Sequence, residues 1–261
     1  MKRIAVVVGL AAVIGCILYS VVRSRQVDEG FSSTTLEAPN STLKTPIGSR
    51  LYVVLLDASA SRPKSMILQG QQFVHVLVDQ MTYGDRLVVL EMYEEGVKDQ
   101  KHVLDMLISK SEDVTSLDEK ERLESARKGV KDAIDLFVQE SLEKKILHTD
   151  ILTTLSIASE KLSPETHNCL VVLSDMLQSS SEFEFEHLRR MPSSLWINET
   201  NKQGLIRPLY GSSVVVVGAD PSTREGVIVR EFWRQYFAAS NASLGLRNYR
   251  TTPPSEASMC D

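Results

Sequence analysis

"LYVVLLDASASRPKSM" occupies residues 51–66, and its reading decides the fold. Six apolar or aromatic residues run without interruption into Asp57, after which Ser59 and Ser61 follow at alternate positions. An apolar run of this length, without the polar alternation of a half-exposed strand, predicts a strand covered on both faces, as in a parallel sheet. The aspartate then marks where the chain leaves the core. In an extended turn alternate residues project the same way, so Asp57, Ser59 and Ser61 can present three oxygens to one point.

Three further apolar runs repeat the pattern, at 86–92, 169–173 and 214–217, and longer helical stretches separate them. Between the first two strands, Ile67, Gly70, Val74, Leu77 and Met81 mark one helical face, and Tyr83-Gly84-Asp85 supplies the turn back. A second helix is expected over about 118–142, with Leu123, Ala126, Val130, Ile134 and Phe137 on its inner stripe. A third is expected over about 151–162, ended by Ser163-Pro164. The last carries Val229, Phe232, Trp233, Tyr236 and Phe237, a stripe that reads as core packing. Alternating strands and helices predict an α/β fold, a doubly wound, mostly parallel open sheet with helices on both faces. The charged stretch 94–122 is read as solvated surface.

The 261 residues, 43% hydrophobic with a formal charge of −5, suffice for one good core and lack the basic excess that nucleic acid demands. Ahead of that core, Lys2 and Arg3 precede an uncharged, mostly apolar run to Val22, closed by Arg23 and Arg25. Its length lies nearer a spanning helix of about 20 residues than a signal-peptide core of about 7 to 15. Residues 1–25 are therefore expected to anchor the chain in a membrane. A rival reading takes Val13-Ile14-Gly15-Cys16 as a lipobox, with Cys16 lipidated. Residues 26–49, rich in Ser, Thr, Pro and Gly, read as a tether; the folded domain spans 50–250 and a tail 251–261. The domain is expected on the exported side, periplasmic or extracellular. Cys169 falls in a strand and Cys260 in the tail, so no structural disulfide is expected.

Open α/β sheets bind ligands beyond the carboxyl ends of their strands. Asp57 stands at such an end, and "NCLVVLSDM" puts Asp175 at another. "ILHTDILTTL" places Thr149 and Asp150 at the mouth of a helix whose preceding loop can reach the same edge. Hard cations such as Mg²⁺ take about six oxygens near 2.1 Å, few of them carboxylates. Two carboxylates and three hydroxyls fill five of about six positions around such an ion and leave one vacant or water-filled, which an outside anion can take. Helix capping is the competing use of these residues: Ser61 before Arg62-Pro63, and Thr149 or Asp150 before the third helix.

The set Asp57, Ser59, Ser61 in "DASAS", Thr149 in "HTDI" and Asp175 in "VVLSD" resembles the metal-ion-dependent adhesion site of von Willebrand factor A domains. The resemblance extends, more loosely, over about 50–249. It implies that these five residues hold Mg²⁺ (or Mn²⁺), directly or through water, and that an Asp or Glu of a protein partner completes the shell. His148 stands where a glycine often precedes the threonine, and Met176 where a glycine often follows the aspartate. The expected function is therefore a membrane-anchored binding module and no enzyme. Two alternatives stay open. A phosphatase using Asp57 lacks the usual second aspartate, because Ser59 occupies its place; a metal-independent interaction domain would need none of the five.

Overall fold

The computed structural model describes residues 48–92, 103–110, 119–144, 146–179, 194–254 and 260. All of them lie within the unit Thr42–Asp261. The expected anchor at 1–25 with Cys16, and residues 26–47 of the tether, fall outside the described residues, and among those described no helix is long and apolar enough to cross a membrane. Among the described residues six strands form one sheet: β1 (Arg50–Leu56), β2 (Arg86–Glu91), β3 (Val103–Leu107), β4 (His167–Leu173), β5 (Ser213–Val217) and β6 (Ser243–Arg250). The helices described are α1 (Lys64–Gln80), α2 (Glu119–Glu143), α3 (Ile151–Lys161), α4 (Ser194–Lys202) and α5 (Arg224–Ala239). The sheet order is β3-β2-β1-β4-β5-β6, parallel except for the antiparallel β2–β3 pair.

Consecutive residues of β1 feed opposite cores, which is why its sequence is apolar throughout. Leu51, Val53 and Leu55 join Leu170, Val172, Val214 and Val216 beneath α3 and α5. Tyr52, Val54 and Leu56 join Val171, Leu173, Val215 and Val217 beneath α1 and α2. On the first side Phe232, Trp233, Tyr236 and Phe237 pack edge to face and stacked within the core. On the second, α1 approaches closely at Gly70, where an added Cβ would meet Leu173 Cδ1 at 3.0 Å. That approach fixes the path of the β1–α1 loop over the end of β4.

Three elements differ from expectation. The stretch 94–122 carries β3 as well as the start of α2: Val103, Met106 and Leu107 extend the sheet on β2, while Asp105 pairs with Arg86 across the strands. An edge strand exposes half its residues, so its composition resembles surface. The opposite edge, β6, hides behind "SLGLRNYR", where the pairing jumps from Val214–Leu244 to Val216–Tyr249. The short α4 likewise lacks an apolar run long enough to announce it.

The cysteine reading is corrected outright. Cys169 on β4 is bonded to Cys260, 91 positions later, with Cα atoms 5.4 Å apart. Cys260 packs against the α1–α2 side of the sheet, so the tail returns to the strand it seemed remote from. A cross-link of this separation acts mainly by restricting the unfolded chain. Cys260→Ser should therefore lower the urea-unfolding free energy of the oxidised protein by about 2–4 kcal/mol; equal midpoints for the two proteins would show that the bond does not hold the tail.

Candidate metal centre at the crossover of β1 and β4

Strand order reverses between β1 and β4, since β1 leads on to β2 at one side while β4 leads on to β5 at the other. Their register pairs Leu56 with Leu173, so the next residues, Asp57 and Ser174-Asp175, leave the sheet side by side. The Asp57 amide donates to Leu173 O (3.0 Å), and the Ser174 amide to Val217 O (3.0 Å). Backbone pairing thus delivers both aspartates to one rim, in the crevice where open sheets bind ligands.

Asp57 is 1% exposed, and each of its carboxylate oxygens is engaged. Oδ1 accepts from the Ser59 amide (3.0 Å) and from Thr149 Oγ1 (3.3 Å). Oδ2 accepts from Ser174 Oγ at 2.8 Å, and the same hydroxyl accepts from the Met176 amide at 3.0 Å. Ser59 and Ser61 hydroxyls lie 3.0 Å apart, with Ser61 exposed to solvent. Asp175 Oδ1 accepts from the Leu177 amide (2.9 Å) and remains partly exposed.

The capping alternative is realised by one residue only. Asp150 is the N-cap of α3, with Oδ1 accepting from the Thr153 amide at 3.1 Å. Thr149 is turned instead towards Asp57. The N-cap of α1 is Pro63, with no side-chain cap, so Ser61 is not spent on that helix. The resulting donor set is all oxygen, two carboxylates with three hydroxyls, which suits a hard divalent ion. Oxygens side by side on an octahedral Mg²⁺ at about 2.1 Å stand about 3.0 Å apart; the Ser59–Ser61 and Asp57–Thr149 separations are near that value. Those two separations are compatible with such an ion. Among the described residues there is no group of three or more His, Cys, Asp or Glu side chains placed to hold a metal, so the hydroxyls are indispensable to any ion here.

Three loops are laced together around this set. The Ala60 amide donates to Ile146 O (2.8 Å) and the Ser179 amide to Thr149 O (2.9 Å). Buried Gln178 accepts from the Ile151 and Leu152 amides (2.7 and 3.1 Å) and donates to Asp150 (2.9 Å), clipping the start of α3 to the Asp175 loop. Lys144 pairs at 2.7 Å with Glu91, fully buried at the end of β2, and so holds the start of the Thr149 loop. Met176 has φ 67°, the left-handed conformation that glycine adopts most easily. Its side chain is nonetheless buried, and its carbonyl accepts from Trp233 Nε1 at 2.9 Å. Packing and that hydrogen bond hold the strained turn without a glycine. His148 Nδ1 lies 3.1 Å from Ser179 Oγ.

Arg62 was read only as part of a helix entry, and the structure puts it beneath the site. Just 7% exposed, it donates through Nη1 to Asp57 O (3.0 Å) and Leu173 O (2.6 Å). Its other terminal nitrogen occupies space opened by Gly218, where a Cβ would come within 2.5 Å of it. Burial pulls the guanidinium pKa below its ordinary value, and the charges of Asp57 and Asp175 act against that. Ser174 was missed as well; its position before Asp175 at the strand end was the available signal.

No family model matches the chain, and no curated protein matches it. Solved structures similar to the chain include two that match over 80% of it. One is proximal thread matrix protein 1 from the mussel byssus, at 14% identity and a TM-score of 0.42, with 45% of that chain covered. The other is the human COPII-coat protein Sec24c, at 13% identity and a TM-score of 0.42, with 30% covered. The chain thus spans less than half the length of either. The chain has a mixed α/β fold with a six-stranded, mostly parallel sheet among the described residues, an architecture compatible with a von Willebrand factor A-like fold.

Removing the Ser174 hydroxyl leaves a buried Asp57 oxygen without that donor. Ser174→Ala should cost about 1–3 kcal/mol in urea unfolding at neutral pH; a cost within error of zero would show that the carboxylate is satisfied otherwise.

Proposed function

We propose that this chain is a membrane-tethered binding module of the von Willebrand factor A type. Asp57, Ser59, Ser61, Thr149 and Asp175 hold one Mg²⁺ or Mn²⁺, and the loaded site takes an Asp or Glu carboxylate from a protein partner. The observation that carries the reading is the division of labour at the start of α3. Asp150 caps the helix and leaves Thr149 to meet Asp57, although either residue has the chemistry of a cap. When bound, the ion supplies an electrophilic point for an anionic oxygen. The chain's own residues orient the hydroxyls, hold the Asp57 side chain in place through three donated hydrogen bonds, and make or break no covalent bond.

Residues 1–25 are proposed to anchor the domain, and 26–49 to let it range over the surface. The Cys169–Cys260 bond supports an exported, oxidising location, since such bonds persist outside reducing compartments. A metal-independent interaction domain is the second reading, and Arg62 is the observation in its favour, because it already sets a positive charge against the aspartates.

Metal titration of the purified full chain separates the two. With Mn²⁺ at 100 times its dissociation constant, the native state gains about 2.7 kcal/mol, and the melting temperature should rise by several degrees. Asp57→Ala should abolish that rise, and partners captured from native membranes in Mg²⁺ should dissociate on chelation. A melting temperature indifferent to Mg²⁺ and Mn²⁺ would leave the metal-independent reading standing.

A further inference from the structure

Arg62 lies one residue beyond Ser61, yet its side chain turns inward. Two backbone carbonyls, Asp57 O and Leu173 O, accept from its Nη1, and these belong to the ends of β1 and β4. The guanidinium also rests against Gly218, just past the end of β5, which with φ +106° carries no Cβ to exclude it. A cation 93% withdrawn from water is costly unless anions face it. Asp57, whose own carbonyl accepts from Nη1, lies beside it, and Asp175 leaves β4 just beyond Leu173, the other acceptor. Strand ends, glycine gap and carboxylates together form a built berth for one fixed positive charge under the rim.

We propose that Arg62 is a resident counter-ion: fixed beneath the ends of β1 and β4, it weakens divalent-ion binding, so that the loaded site carries excess positive charge for an anionic partner. The inference rests on the metal reading above. The arithmetic is simple. Asp57 and Asp175 contribute −2 and Arg62 +1, leaving −1 before loading. A divalent ion brings the site to +1, whereas without Arg62 it would reach only neutrality. Arg62 is thus a positioning residue that acts through charge and backbone contacts, and none of the proposed ligands is replaced by it.

Isothermal titration with Mn²⁺ on the full chain tests this, using Arg62→Gln, which removes the charge but keeps a donor, and Arg62→Lys, which keeps the charge. Arg62→Gln should bind Mn²⁺ about tenfold tighter than wild type, with the difference shrinking as salt is raised. Arg62→Lys should bind as wild type does, a rescue that a purely structural role for the guanidinium fork would not produce. If Arg62→Gln is unfolded without metal, millimolar Mn²⁺ should restore its near-UV circular dichroism. Unchanged or weaker binding by Arg62→Gln, or failure of Mn²⁺ to refold it, overturns the counter-ion proposal while wild-type binding preserves the metal centre. Absence of binding in wild type and both variants overturns the metal reading itself.

Discussion

A carboxylate buried at the end of a central strand is the constraint on which the rest of this structure turns. Asp57 is almost wholly withdrawn from water, and a polar side chain buried there is costly unless donors face its oxygens. Those donors come from three places: the Ser59 amide on its own loop, Thr149 ahead of α3, and Ser174 at the end of β4. Satisfying one side chain therefore draws three loops to one point. The backbone ties between Ala60 and Ile146, and between Ser179 and Thr149, keep them there.

Seen from the sheet, this convergence follows from parallel pairing. β1 and β4 run in register, so whatever follows Leu56 must lie beside whatever follows Leu173. The opposite faces of the same strands supply two cores, one under α3 and α5 and the other under α1 and α2. Neither core contains the site. Each presses a helix close enough to fix the loop that leads into it, through Trp233 on Met176 at one side and Gly70 on Leu173 at the other.

Much of this was legible in the amino-acid order, and the reason is burial. β1, β2, β4 and β5 are covered on both faces, so each is a near-continuous apolar run that no helix of that length would need. Asp57, Ser59, Ser61, Thr149 and Asp175 stood out because oxygen side chains fell at strand ends and a helix mouth. Edge strands were hidden for the converse reason: β3 and β6 are half exposed and carry Asp105, Arg247 and Asn248 among their apolar residues. Residues that serve the site from beneath were also hidden. Ser174, Gln178 and Glu91 act through local hydrogen bonds or ion pairs that leave no periodic trace, and Arg62 looks like any arginine before a proline. The Cys169–Cys260 bond joins residues that only the returning tail brings together.

The central claim is that oxygens from separate loops share one divalent ion. An anomalous difference map from crystals grown with Mn²⁺ tests it most directly. The account predicts one strong peak at the rim, bounded by the side-chain oxygens of Asp57, Ser59, Ser61 and Thr149 and facing Asp175. A map with no peak there, while Mn²⁺ is present in the crystal at millimolar concentration, would contradict it.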